Sequence, residues 1–209
     1  MNIGLLVGTI TTQTENTTGL MTCLPMKINK VGHTYFAVVE DFFTIAECRQ
    51  VILACGDFNL TKVPAGTYNG WKTGVQNRNI ATPPVLMYKS KFDEAFAKFN
   101  ESSYDFHLIQ QYSHFVNEYG AGQILDWHRD EDESIEDLYK RTPANRLSCS
   151  IFLNEDFTGG EFTLDGVDSW QPRVGQAIFF PSAQLHKGGR VTQGTKYNYT
   201  VWAKGERGA

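Results

Sequence analysis

The chain has 209 residues, 41% of them hydrophobic and 13% aromatic, enough apolar side chain for one full core and too much for a disordered polymer. Its formal net charge of −4 gives no general attraction to phosphate backbones, so nucleic acid is not an expected partner.

Residues 1–25 are rich in threonine and show no periodicity, and read as a loose leader. Their apolar run IGLLVGTI is too short to span a bilayer and has no basic flank, so no membrane association is expected. The first clear element is FFTIAECRQVILACGDF. Thr44 and Glu47 form a T-x-x-E capping box ahead of an apolar stripe of Ile45, Cys48, Val51, Ile52 and Cys55, with Gly56 as the stop. Residues 61–88 contain Gly66, Gly70, Gly74 and Pro83-Pro84 and read as loops with short extended pieces. A second helix is predicted next, with Ser90 as its cap, Asp93 completing the box, and Phe92, Ala95, Phe96 and Phe99 as the buried stripe.

From residue 105 onward the texture changes. The β-rich runs FHLIQQYSHFV, QILDWH, RLSCSIFL, GEFTL, QAIFF and KYNYTVW alternate with turns such as YGAG, TGG, LDG, RVG and QGT. Two helices and then a train of strands predict a mainly β fold with flanking helices, a sandwich or barrel with the helices outside. Neither a repeat nor a Pro- or Gly/Ser-rich linker interrupts it, so one domain is expected: a helical support region over 26–105 and a β core over 106–205. Cys23, Cys48, Cys55 and Cys149 form no CxxC pair and read as reduced, buried thiols of a cytoplasmic protein.

One stretch, DWHRDEDESIEDLYKR, raises a chemical question. His128 and Asp130, two apart at a strand end, point the same way. Such a pair alone is a weak signal. His186, after an apolar strand and a turn, supplies a third group. Two neutral imidazoles and one carboxylate on one face of an octahedral ion suit non-haem Fe(II) and oxygen chemistry. Further on, Lys196, Asn198, Thr200 and Trp202 share one strand face, with Tyr197, Tyr199 and Val201 on the other. A lysine directed into a barrel is costly unless a carboxylate meets it.

From about residue 112 to 203 the chain resembles the Fe(II)- and 2-oxoglutarate-dependent dioxygenases, specifically their prolyl 4-hydroxylase-like branch. The carriers are YGAGQILDWHRD, RLSCSIFLNEDFTGGEFTL, VGQAIFFPSAQLHKGGRVTQGTK and Trp202. The resemblance implies a double-stranded β-helix, or jelly roll, with the N-terminal helices packed outside. It implies His128, Asp130 and His186 as ligands of Fe(II), and Lys196 as partner of the distal 2-oxoglutarate carboxylate. TGGE (158–161) matches the turn before a core strand, Gly175 the small turn before the strand leading to His186, and Tyr119 and Gly122 the aromatic and glycine upstream of His-x-Asp.

There are departures. Leu125 and Phe152 stand where relatives often carry tyrosines, which leaves Lys196 fewer helpers; Thr200 is the best candidate for one and Tyr119 the next. His33, His107, His114 and Arg146 read as ordinary surface or core residues, with His114 alternatively behind the site and Arg190 alternatively at its mouth. The acidic run after Asp130 reads as a solvated loop at the rim, its rival reading being a lid that favours a basic or polar substrate.

The activity implied is hydroxylation of an amino-acid residue, proline among the candidates, in a protein or peptide. Dioxygen and 2-oxoglutarate would be consumed, succinate and carbon dioxide formed, and ascorbate would help to keep the iron ferrous. The alternatives are hydroxylation of a free amino acid or small metabolite, and a non-catalytic cupin-like binding module. An inward Lys196 speaks against the module, which needs no cation beyond its second histidine.

Overall fold

The computed structural model describes residues 26–56, 62–63, 67–68, 71–72, 78–131 and 143–206. The leader, Cys23 and most of the acidic run therefore lie outside the described residues.

The chain opens with a hairpin, β1 (Ile28–Val31) and β2 (Thr34–Val39), followed by α1 (Ile45–Ala54). Short strands β3 (Lys62–Val63), β4 (Thr67–Tyr68), β5 (Trp71–Lys72) and β6 (Arg78–Ala81) lead to α2 (Lys89–Glu101). Next come β7 (Leu108–Tyr119), β8 (Leu125–His128), β9 (Ala144–Phe152), β10 (Thr158–Gly159), β11 (Phe162–Leu164) and β12 (Asp168–Trp170). The last strands are β13 (Ala177–Pro181), β14 (His186–Gly188), β15 (Val191–Gln193) and β16 (Lys196–Gly205). Eight of them form a large antiparallel sheet in the order β1-β2-β13-β9-β16-β7-β6-β3, and a smaller sheet runs β12-β11-β14-β8. The two sheets make the expected jelly roll.

Period-two alternation explains how the large sheet serves two purposes. On β16, Tyr199, Val201 and Ala203 face the helices, while Lys196, Asn198, Thr200 and Trp202 face the space between the sheets. On β9, Leu147, Cys149 and Ile151 face the helices, and Ser150 faces inward. The helix side is the larger core: Cys48 and Val51 of α1 and Phe92, Ala95, Phe96 and Phe99 of α2 close over Phe179, Tyr199 and Val201. Phe179 touches the rings of Phe42, Phe96 and Phe99, so its truncation to alanine should cost about 3–5 kcal/mol.

The first helix begins as its sequence predicts. Glu47 N donates to Thr44 Oγ1 at 3.2 Å, and Thr44 N donates back to Glu47 Oε2 at 2.7 Å. The stripe is narrower than expected, because Ile45, in the first turn, is 55% exposed.

The cap predicted for α2 is not there. The residue before the helix is Tyr88, in left-handed conformation with φ 59°, and no side chain caps the first turn. Asp93 is held by Lys89 at 2.8 Å and by the Tyr112 hydroxyl at 2.6 Å, so it cannot reach back, and Ser90 already lies inside the helix.

The region 26–105 is also more than helical support. It adds β1 and β2 to one edge of the large sheet and β6 and β3 to the other. Gly175 ties the first helix to this frame: it accepts from Phe43 N at 3.0 Å, and a Cβ there would stand 2.1 Å from the Phe43 carbonyl oxygen.

Candidate active site

Between the sheets lies a pocket of about 480 Å³, its open mouth included. The small sheet supplies one wall. His128 ends β8, His186 begins β14, and the two are cross-strand partners with ring centroids 4.1 Å apart. Asp130 follows β8 directly and turns back between them. Asp130 Oδ1 lies 3.5 Å from His128 Nε2, and its Oδ2 lies 3.4 Å from His186 Nε2. The three donor atoms all fall within 4.8 Å of one another, and each residue is buried.

The orientation of the rings is fixed from behind. His128 Nδ1 is 2.7 Å from the Asp126 carbonyl oxygen and His186 Nδ1 is 2.9 Å from that of Gln184. A carbonyl oxygen only accepts, so each Nδ1 donates its proton there, and each Nε2 is the ring atom turned toward Asp130. Ser148 Oγ donates to Asp130 Oδ2 at 2.8 Å and meets Ser182 Oγ at 2.9 Å, while Asp130 N donates to the Ser182 carbonyl. Phe180 and Phe162 pack against the His186 ring, with centroids 4.7 and 5.7 Å away.

Electrostatics prepare the same three groups for a cation. Burial works against the Asp130 carboxylate, but His186 and His128 beside it outweigh that and hold its carboxyl well below the usual range. The Trp202 indole adds to this effect without a formed hydrogen bond. Burial, and then the neighbouring His128, push His186 down to about 4, so its imidazole is neutral at pH 7. A neutral imidazole lone pair and an ionised carboxylate are what a divalent ion requires. Ligand atoms at right angles around one ion, roughly 2.1 Å from it, stand about 3 Å apart, so this set fits after small adjustments.

Lys196 faces the pocket from the opposite wall and is 3% exposed. Its ammonium donates to the Gly160 carbonyl at 2.6 Å and lies 5.3 and 5.7 Å from the ring centres of Phe152 and Tyr119. Burial pushes it down to about 7, with Glu161 acting in the opposite sense. The turn carrying Gly160 is shaped around it: a Cβ at Gly160 would stand 3.1 Å from Lys196 Cδ, and the backbone φ there is +70°. Phe152 supplies a ring where a tyrosine would supply a hydroxyl.

Thr200 belongs to a buried polar network. Its Oγ1 accepts from Asn198 Nδ2 at 2.9 Å and Asn117 Nδ2 at 3.4 Å, and Asn198 Oδ1 accepts from Ser150 at 3.1 Å. With both lone pairs engaged, the Thr200 hydroxyl hydrogen remains to donate. Tyr119 also lines the pocket, its phenol raised to about 12 chiefly by burial.

The pocket thus brings together His128, Asp130, His186, Lys196, Thr200 and Tyr119. The other polar candidates stay outside it. His33 is exposed, His107 pairs with Glu206 at 3.0 Å, and His114 packs on Tyr199 on the helix side of the sheet. Arg190 reaches the Gly122 carbonyl, and Arg146 pairs with Glu131 at 2.5 Å. Beyond Glu131, the postulated acidic lid lies outside the described residues. Three polar pocket residues escaped the sequence reading: Asn117, Ser150 and Arg78, of which Arg78, at the start of β6, is 2% exposed. A lone arginine in a Gly-rich stretch has no local signature, and only the pairing of β6 with β7 places it there.

Known proteins resemble this chain in the same region. Residues 114–204 match the family model of the 2OG-Fe(II) oxygenase superfamily. A PKHD-type hydroxylase of Picosynechococcus is 33% identical over 91 residues, which are 41% of this chain and 39% of that protein; the chain therefore spans about two-fifths of the length of this relative. A Pseudomonas putida prolyl-4-hydroxylase structure matches with a TM-score of 0.59 at 16% identity, over 83% of this chain and 93% of that one. A Trichoplax adhaerens prolyl hydroxylase, solved in complex with a hypoxia inducible factor oxygen degradation domain peptide fragment, matches with a TM-score of 0.61 at 12% identity, over 81% and 83%. At these identities the structural likeness speaks to the fold.

Proposed function

We propose that this chain, whose residues 114–204 match the family model of the 2OG-Fe(II) oxygenase superfamily, is an Fe(II)- and 2-oxoglutarate-dependent hydroxylase of the prolyl 4-hydroxylase-like branch, acting on an amino-acid residue of a protein or peptide. The observation that carries the proposal is the convergence of two Nε2 atoms and one carboxylate at 3.4–3.5 Å, opposite a buried lysine in the same pocket. In this reading His128, Asp130 and His186 hold the ferrous ion. Lys196, helped by the Thr200 hydroxyl, holds the far carboxylate of 2-oxoglutarate, and Tyr119 bounds that end of the cavity.

When bound, the ion and its cosubstrate supply the oxidising power: one oxygen atom of dioxygen enters the substrate C–H bond and the other enters succinate, with loss of carbon dioxide. The chain's own residues do the rest. The Asp126 and Gln184 carbonyls and Ser148 fix the ligands, which lowers the reorganisation needed on binding. Leu125, Phe162 and Phe180 line the cavity with apolar surface and limit water. Because His128, Asp130 and His186 all approach from one side, an ion held by them would remain accessible to ligands from the pocket.

The PKHD-type relatives and the prolyl hydroxylase folds support proline as the target. Ascorbate as the reductant and a cytoplasmic location belong to the same reading; the latter is supported by the free, buried thiols of Cys48, Cys55 and Cys149. No helix of the described residues is long and apolar enough to cross a membrane. The test is succinate release, screened over proline-containing peptides and free amino acids with Fe(II), 2-oxoglutarate and oxygen. Stoichiometric coupling of succinate to a product heavier by one oxygen atom is expected. No turnover above that of Asp130→Ala, with any of them, would contradict the proposal.

A further inference from the structure

Arg78 stands in a row with the residues assigned to the cosubstrate. Strand β6 pairs with β7 through Ile80↔Asn117, and β7 pairs with β16 through Tyr119↔Lys196. Cross-strand partners share a face, and Asn117 faces the pocket, so Arg78, two residues before Ile80, emerges on that same face. The pocket lining contains it directly.

Among the described residues, no carboxylate compensates its charge. Nε and Nη1 are buried without any hydrogen-bond partner. The Phe115 ring centroid is 6.0 Å from the guanidinium carbon, at the outer limit for a cation–π contact. An arginine cannot escape by losing its proton, so an unpaired buried guanidinium is costly to the fold. Such a group is retained where a ligand completes it.

The cosubstrate does not complete it. In the proposed function, one carboxylate of 2-oxoglutarate meets Lys196 and the other meets the ion. Among the groups lining the pocket, which exclude the exposed Glu161, the ferrous ion, Lys196 and Arg78 would then outweigh Asp130 and those two carboxylates by one positive charge. A neutral carbonyl would fill the hydrogen bonds but leave the excess charge.

We infer that the substrate carries a carboxylate of its own and that Arg78 anchors it through the two-pronged geometry guanidinium offers to carboxylates. The residue hydroxylated is then a free amino acid or one at or beside a free carboxylate, rather than one deep inside a neutral peptide. The inference rests on the iron and 2-oxoglutarate chemistry of the proposed function; within peptides it narrows the substrate to residues at or beside a free carboxylate, and it admits free amino acids as well.

The test uses the anaerobic protein loaded with Fe(II) and 2-oxoglutarate, with acetate as the minimal probe and calorimetry as the readout. Saturable binding of one acetate per chain is expected, with no binding of acetamide. Arg78→Gln should weaken acetate at least about tenfold while changing 2-oxoglutarate affinity less than about threefold. Arg78→Lys, which keeps the charge and protects against misfolding of the glutamine variant, should retain weaker acetate binding and still reject acetamide. Competition against acetate then separates the sources: free amino acids in one arm, short peptides with a free C-terminus in the other. Three results would overturn the inference: no saturable acetate binding in wild type, equal binding in Arg78→Gln, or amidated ligands competing as well as free acids. A collapse of 2-oxoglutarate affinity in Arg78→Gln would also overturn it, by giving Arg78 to the cosubstrate. If wild type forms no visible charge-transfer band with Fe(II) and 2-oxoglutarate, the proposed function falls and this inference with it; a normal band without Arg78-dependent acetate binding sinks the inference alone.

Discussion

His128 and His186 face each other as direct cross-strand partners, and each is turned by a carbonyl two residues before it, so that both Nε2 atoms look at Asp130. The geometry proposed to hold the ion is thus a property of one strand pair and the turn that follows it. Two neighbouring backbones set the ring positions, and a hydroxyl layer behind sets the carboxylate.

That hydroxyl layer is testable. Ser148→Ala removes the hydrogen bond to Asp130 Oδ2 without changing the fold around a small residue. Mn(II) or Fe(II) affinity should fall about 10- to 100-fold, as for other groups that orient metal ligands. Titration followed by electron paramagnetic resonance with Mn(II) measures it. Unchanged affinity would mean that the histidines alone fix Asp130.

Lys196→Met should leave ion binding intact and weaken 2-oxoglutarate by about 10- to 100-fold, the value of a charge-assisted hydrogen bond. Calorimetry with and without Fe(II) separates the two effects.

The same lysine sets a pH dependence. Burial lowers its folded-state pKa to about 7, from the ordinary 10.5. The unfolded chain therefore binds more protons between pH 7 and 10.5, and the stability of the ligand-free protein should rise with pH across that window relative to Lys196→Met. Binding of 2-oxoglutarate needs the charged form, so its affinity should fall as pH rises above 7, with proton uptake. Calorimetry in buffers of different ionisation enthalpy detects that uptake; binding without it at pH 8 would contradict the assignment.

Thr200→Val removes the hydroxyl that remains free to donate and strands two amide donors, those of Asn198 and Asn117. A stability loss of about 1–3 kcal/mol is expected, together with weaker 2-oxoglutarate binding. Thr200→Ser should restore both. Denaturant unfolding and calorimetry provide the two readouts.

Gly160→Ala places a Cβ 3.1 Å from the Lys196 stem and 3.0 Å from Phe157, at a backbone φ of +70°. It should weaken 2-oxoglutarate several-fold through Lys196 while sparing the ion. Equal loss of both would indicate general collapse of the turn.

Much of this arrangement could be read from the chain. The capping box at Thr44 and Glu47 works because it is local, and the alternation of β16 is legible because its two faces differ sharply in polarity. What escaped was non-local or covered on both sides. Strand β2 sends Phe36 to one core and Ala37 and Val39 to the other, so its sequence reads as an unbroken apolar run. The start of α2 depends on Tyr88 taking a left-handed conformation, which no side-chain pattern announces. Arg78 became a pocket residue only through pairing with a strand some forty residues later.

The most direct measurement is the anaerobic visible spectrum of the protein with Fe(II) and 2-oxoglutarate, compared with Asp130→Ala and Lys196→Met. Wild type should develop a weak charge-transfer band saturating at one iron per chain. Asp130→Ala should lose it, and Lys196→Met should need at least about tenfold more 2-oxoglutarate to reach it. A wild-type protein without the band, or a band indifferent to Asp130, would contradict the assignment of one ferrous ion held by His128, Asp130 and His186 with its cosubstrate anchored on Lys196.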